Sequence, residues 1–208
     1  MSKHNFRENL LPNFLETLEL ALGRIRYKIC GEYVVTFILL PNSKNNENRS
    51  DVIDSKYAKF RADLVLPIKI QHMFTYDEIN QIKNTVHDSK KLIYQVGKPL
   101  KEPEYDENIN NICAAGIHYF QTWLGAFYYG LTENYISENK MTILYKAYSA
   151  GGNKSVERHY VDGKLHGPHL EWHSNGNKMR ECNYVDGKLH GPYLEWYWDG
   201  KKETECNY

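Results

Sequence analysis

The C-terminal third of the chain repeats itself. Residues 159–182, HYVDGKLHGPHLEWHSNGNKMREC, return as residues 183–206, NYVDGKLHGPYLEWYWDGKKETEC, and Tyr160, Tyr184 and Tyr208 mark a period of 24 residues. The octet VDGKLHGP is identical in both copies. A degenerate half-copy precedes them, with Tyr148, Gly152, Asn153 and Lys154 in step with Trp172, Gly176, Asn177 and Lys178. A unit this short cannot bury its own apolar face, so neighbouring units must stack into one continuous element.

Within a unit, Leu170 and Trp172 alternate with His169, Glu171 and His173, the period-two pattern of a half-buried strand. Asn175-Gly176, and Asp199-Gly200 in the next copy, supply positive φ for a tight hairpin turn. The returning strand, 178–185, sets Arg180, Cys182 and Tyr184 on one face. Asp162-Gly163 and Asp186-Gly187 then turn the chain into the next unit. Trp172 and Trp196 recur at the repeat spacing and read as core. Cys182 and Cys206 occupy equivalent positions and read as small apolar filling on the face of Leu170 and Trp172, a disulfide between adjacent hairpins being the weaker alternative.

Residues 163–178 and 187–202 resemble the MORN repeat, in its G-x-L-x-G-P-x-x-x-W/Y-x-x-N/D-G-x-K variant. The defining positions here are Gly163, Gly167, Trp172, Gly176 and Tyr184, then Gly187, Gly191, Trp196, Gly200 and Tyr208. The resemblance implies an all-β antiparallel hairpin meander and a scaffold or adaptor role. Phospholipid binding has been proposed for some family members, so a membrane surface is the second reading of the partner. The variant occurs in bacterial proteins and in expansions in giant DNA viruses.

The rest of the chain reads as an α+β domain. Helices are expected at Leu10–Leu22, stopped by Gly23, at Thr75–His87 with Thr75–Glu78 as a capping box, and at Thr122–Tyr129. Strands are expected at Tyr27–Leu40, Phe60–Ile70, Leu92–Val96 and Ile112–Phe120, with Asn42–Ser50 as a polar loop. The domain boundary falls at 1–138 and 139–208. From Phe60 to Tyr129 the chain also resembles an uncharacterised domain of giant-virus, phage and bacterial proteins. That resemblance rests on Tyr94-x-Val96-Gly97, Asp106-Glu107-Asn108, and Cys113-x-x-Gly116-Ile117-His118-Tyr119-Phe120 with Ala126. It brings no activity. Together the two resemblances imply a giant-virus protein, with virion or viral-factory proteins as partners.

Charge gives no reason to expect nucleic acid, because 26 Lys and Arg balance 26 Asp and Glu. No apolar run approaches the length of a membrane span, and no signal peptide is legible in the opening residues, so a cytoplasmic setting is expected. The four cysteines are widely spaced and read as thiols.

Catalytic chemistry finds little support. Cys113 and His118 are five residues apart, and on a strand they point to opposite faces, so a thiolate–imidazolium pair is not expected and a buried cysteine is. Asp106-Glu107 lacks an opposing carboxylate or nucleophile and reads as loop charge. His166, His169 and His173 cluster, with 169 and 173 on one face, yet Tyr193 and Tyr197 replace those two in the next copy, so metal binding is not a property of the repeat. No catalytic, metal or cofactor site is expected. The functional expectation is a non-enzymatic interaction or scaffold protein, with Tyr193, Tyr197 and Trp198 near an open sheet edge as partner-binding residues, and self-association through that edge as a further possibility. A peripheral lipid-binding module and a cysteine-dependent enzyme are the alternatives.

Overall fold

A computed structural model describes residues 24–84 and 92–208. The expected helix at Leu10–Leu22 lies outside the described residues. The chain divides into two compact units, one holding Arg61–Tyr119 and the described residues up to Glu47, the other Asn48–Phe60 and Phe120–Tyr208.

The first sheet is built from β1 (Ile25–Cys30), β2 (Tyr33–Leu39), β3 (Lys59–Ala62), β4 (Leu64–His72), β7 (Leu100–Lys101) and β8 (Ile117–Phe120), in the order β3-β8-β1-β2-β4-β7. The expected Tyr27–Leu40 stretch is a hairpin, turned at Gly31, whose φ is +58°. The Phe60–Ile70 stretch likewise breaks into β3 and β4 at Asp63. Val35, Phe37, Val65, Ile117 and Tyr119 are buried, and Phe37 meets Tyr119 edge to face at 5.7 Å. Glu47 accepts two hydrogen bonds from Arg26, at 2.6 and 2.9 Å, and one from the Tyr119 hydroxyl at 2.7 Å. Arg61 is fully buried. Its guanidinium donates to the carbonyls of Asp106, Asn108, Asn111 and Ala115 and holds the 105–116 loop in shape.

Two expectations fail in this unit. The Thr75–His87 helix is not formed where it is described. Tyr76 takes φ +64°, outside the helical region, the Thr75 hydroxyl turns to Asp77 at 2.6 Å, and β5 (Gln81–Lys83) pairs with β6 (Ile93–Gln95) as a small second sheet. The Ile112–Phe120 strand begins only at Ile117, because the preceding residues form the turns that Arg61 organises.

The second unit carries α1 (Trp123–Gly130), α2 (Glu133–Glu138) and a six-stranded antiparallel meander: β9 (Ile143–Tyr148), β10 (Lys154–Val161), β11 (Lys164–Trp172), β12 (Lys178–Val185), β13 (Lys188–Trp196) and β14 (Lys202–Asn207). Thr122 caps α1 by accepting from Gly125 N, and Thr132 caps α2 by accepting from Tyr135 N. The half-copy is a complete hairpin, so the meander holds three hairpins, β9–β10, β11–β12 and β13–β14, in strict chain order. The fold class is that of an antiparallel β protein with few helices, ending in a hairpin-repeat meander.

The two turn types differ. Asp162-Gly163 and Asp186-Gly187 take positive φ at both residues, as a two-residue primed turn requires. At Asn175-Gly176 only the glycine does, and His173 and Asn177 close a longer turn through a 2.8 Å bond. Ser149–Asn153 and Tyr197–Lys201 repeat that geometry at 2.8 and 2.9 Å.

Candidate functional site

Register decides which side chains meet. Arg158 pairs with His169, His169 with Cys182, Cys182 with Tyr193, and Tyr193 with Cys206, so these five share one face of the meander. Leu170, Glu181, Leu194 and Glu205 form the neighbouring row on the other face. Cys182 and Cys206 are therefore on the face opposite Leu170, contrary to the expectation. The pairing of β11 with β12, not the periodicity of either strand, sets this relation. Cys182 is buried, Cys206 is exposed, and neither forms a disulfide.

The shared face carries a ladder of alternating charge. Arg158 reaches Glu133 of α2 and, at 2.8 Å, Glu171. Its Nε lies 3.0 Å from His169 Nε2, which is itself 2.7 Å from Glu171 Oε1. Arg180 stands 3.5 Å from Glu171 and donates to Glu195 at 2.9 Å. Tyr193 donates to Glu195 at 2.5 Å, and Tyr160 donates to Glu133 at 3.0 Å. Burial pushes the Glu171 carboxyl up, but the donors Arg158 and His169 with the Arg180 charge more than offset it, and it titrates below its ordinary range. Burial holds the His169 ring below its usual value, opposed by the Glu171 contact and assisted by Arg158. Burial and the hydrogen bond to Glu195 push the Tyr193 hydroxyl up to about 12. Each hairpin also sets an aromatic pair across its strands: Tyr145 with Tyr160, His169 with Tyr184, Tyr193 with Tyr208.

On the other face Trp172 and Trp196 are half-buried, not core. Lys154 lies over Trp172 at 4.2 Å and Lys178 over Trp196 at 5.4 Å, so each lysine covers the indole of the next hairpin.

The three partner-binding candidates differ in setting. Tyr193 is half-buried in β13, tied to Glu195 and packed on Tyr208 at 5.8 Å. Tyr197 and Trp198 sit on the turn between β13 and β14, exposed to 49% and 72%. The turn itself is fixed, because the side-chain amides of Asn175 and Asn177 donate to the Trp198 carbonyl at 2.7 and 2.9 Å and His173 Nε2 meets the Trp196 carbonyl at 2.8 Å. Among the described residues no strand pairs with the outer edge of β14.

Among the glycines at the ten defining positions, Gly163 is the constrained one. At φ +76°, a Cβ there would stand 2.8 Å from the Ser137 carbonyl oxygen. Gly167, Gly176, Gly187, Gly191 and Gly200 also take positive φ, with more open surroundings. Tyr184 is half-buried and Tyr208 exposed.

The residues weighed for catalysis are not assembled into a centre. Cys113 is exposed, in a turn before β8 and not buried in a strand, and His118 Nε2 meets the Ile112 carbonyl at 3.1 Å. Asp106 is occupied by Asn108 N and the Asn111 side chain, both at 2.8 Å, and Glu107 by Lys44. His169 and His173 do not act together: one lies in the ladder, the other at the turn, beyond a register shift at Glu171/Trp172. No group of three His, Cys, Asp or Glu among the described residues is placed to hold a metal ion, and no helix among them is long and apolar enough to cross a membrane.

The chain belongs to the family of unknown function DUF5758, whose profile matches residues 15–126. No curated protein and no solved structure matches it.

Proposed function

We propose that this is a non-enzymatic interaction protein whose hairpin meander docks other proteins through its third hairpin. The observation that carries the reading is the 72% exposure of Trp198 on a turn whose backbone is held by Asn175 and Asn177. A large aromatic presented on a fixed backbone loses little conformational entropy on binding, and Trp and Tyr dominate the energetics of protein interfaces. Tyr197 stands beside it, and Tyr193 supports the adjoining strand. The resemblance of residues 163–178 and 187–202 to MORN repeats supports a scaffold or adaptor role, and the giant-virus associations of both resemblances make virion or viral-factory proteins the natural partners.

The test is affinity capture with the tagged full chain and its Trp198→Ala and Tyr197→Ala variants. An interface anchor is worth roughly 2 kcal/mol, or about thirty-fold in affinity. Capture is expected to fall by that order for Trp198→Ala while the melting temperature is unchanged. Undiminished capture by both variants removes the aromatic anchor.

A further inference from the structure

The interior seams of the meander show what one hairpin offers the next. From the first to the second, the Asn153 amide donates to the Ser174 carbonyl and Lys154 covers Trp172. From the second to the third, Asn175 and Asn177 reach the Trp198 carbonyl, His173 the Trp196 carbonyl, Lys178 covers Trp196, and Arg180 pairs with Glu195. The third hairpin holds Tyr197, Asp199, Lys201, Lys202 and Thr204 at the positions of His173, Asn175, Asn177, Lys178 and Arg180, so only the lysine is kept. Asp199 and Lys201 close on each other at 3.1 Å. The edge that β14 presents therefore keeps the seam lysine and lacks the asparagine amide that both interior seams use.

The opposite edge is closed. Tyr57 stacks on Tyr148 at 3.8 Å with the rings 2° from parallel, occupying the place where a preceding hairpin would lay its lysine. Ile53 N and Asp54 N donate to the Gly151 carbonyl, and Lys59 N and Arg49 donate to the Ala150 carbonyl. A head-to-tail stack of β14 on β9 of another copy would have to displace these contacts at the turn end of β9.

Resting on the reading of the third hairpin as a docking surface, we infer that β14 pairs antiparallel with β14 of a second copy about a two-fold axis at Cys206. The register follows from which backbone groups point outward. Gly191 and Tyr208 exchange both main-chain hydrogen bonds, at 2.8 and 3.0 Å, and Asn207 lies opposite Pro192, which has no N–H to offer. Alternation then directs the N–H and C=O of Thr204, Cys206 and Tyr208 toward β13, and those of Glu205 and Asn207 toward the open edge. An axis at Glu205 opposes Glu205 to itself, and an axis at Thr204 opposes Glu203 to Glu205. Like charges directly opposite destabilise a ladder. An axis at Asn207 sets Glu205 beyond the end of the second copy's β14, whose last strand residue is Asn207. An axis at Cys206 sets Glu205 against Asn207 of the second copy, Cys206 against Cys206, and Thr204 against Tyr208. It opposes no like charges and uses every outward group from Glu205 to Asn207. The pairing is isologous and closes on itself, which satisfies both edges without a filament. It leaves the Trp198 turns clear of the paired stretch for other proteins.

Light scattering on size-exclusion fractions of the full chain, over a dilution series, tests this directly. The mass is expected to rise toward twice the 24.4 kDa chain mass with loading. Asn207→Pro removes an outward N–H without touching the bonds to β13, and Cys206→Lys sets two ammonium groups face to face at the axis. Both are expected to stay at single-chain mass with unchanged circular dichroism. Diamide, which takes up the electrons and protons released as two thiols join, is expected to give a Cys206–Cys206 disulfide in the wild type and in Cys113→Ser. Cys206→Ser is expected to give none. A single-chain mass at the highest loading overturns the inference, as does a dimer that survives both edge variants. Either result alongside Trp198-dependent capture leaves the docking reading standing. A dimer abolished by both variants, with capture indifferent to Trp198, keeps the pairing and removes the docking reading.

Discussion

The two edges of the meander are made from the same repeat and end differently. At β9 the hairpin turn is covered by residues 48–60, α1 packs against the strand, and Tyr57 takes the place of a missing neighbour. At β14 the turn carries Tyr197 and Trp198 into solvent and the strand's outer backbone groups are unpaired among the described residues. The charge ladder follows the same gradient. Arg158, near the closed edge, serves Glu133 and Glu171; Arg180 serves Glu171 and Glu195; at β14 Thr204 stands in the place of Arg180. A repeat array needs closure where it is to remain inert. The protein invests its extra structure at one edge and leaves its aromatics at the other.

The largest effect expected from this gradient is on stability. Arg158→Ala leaves Glu171, whose side chain is 10% exposed, with only its longer contact to Arg180 on the arginine side, and it leaves Glu133 of α2 with the Tyr160 hydroxyl alone of its two sheet partners. Breaking a largely buried pair of this kind costs roughly 3 kcal/mol. Arg180→Ala acts on a side chain that is 33% exposed, and its cost, discounted for solvent screening, is about 1 kcal/mol. Chemical denaturation of the two variants measures the difference, and equal losses would break the comparison.

A smaller contrast lies in the turns. Gly152 and Gly200 hold the same position in their hairpins, with φ of +92° and +84°. A side chain at either meets the strain of the left-handed region, about 1 kcal/mol. At Gly152 a Cβ would also lie 2.1 Å from the Asp54 carbonyl oxygen, whereas at Gly200 the nearest atom is the Asn177 amide at 3.9 Å. Overpacking adds roughly 1–3 kcal/mol at the closed edge alone. Gly152→Ala is thus expected to melt well below Gly200→Ala, and matching melting temperatures would show that residues 48–60 do not constrain the first turn.

The legibility of the sequence follows the same division. Hairpin order, turn positions and the exposed pair Tyr197 and Trp198 were readable because the 24-residue period repeats both the apolar alternation and the turn residues. The closing segment 48–60 was not, since it contacts the first turn largely through backbone groups and carries no repeat of its own. The ladder was hidden for another reason. Arg158 occupies a position filled by Cys182 and Cys206 in the later copies, and only strand register brings it to Glu171. The Thr75–His87 reading failed because a local capping pattern was outweighed by the pairing of β5 with β6 and by the positive φ of Tyr76.

The smallest effect, and the one that isolates the ladder from the edges, is on pH dependence. His169 is buried, its ring nitrogen Nδ1 has no hydrogen-bond partner, and it faces Arg158, Glu171, Arg180 and Tyr184. Its folded value lies below the ordinary 6.5. Above that pH the ring is neutral in both states and nothing is lost. As the pH falls below it, the unfolded chain takes the proton first, and stability declines until the folded ring is protonated as well. A second decline follows below 4.5, where the unfolded form of Glu171 is protonated before the folded one. Tyr145 and Tyr193 hold the place of His169 in the flanking hairpins, and Tyr193 donates to Glu195 as a tyrosine at 169 would to Glu171. His169→Tyr should therefore fold and lose the first decline while keeping the second. Thermal melts of the two proteins between neutral and mildly acid pH read this out, and superimposable profiles would place the acid response outside the ladder.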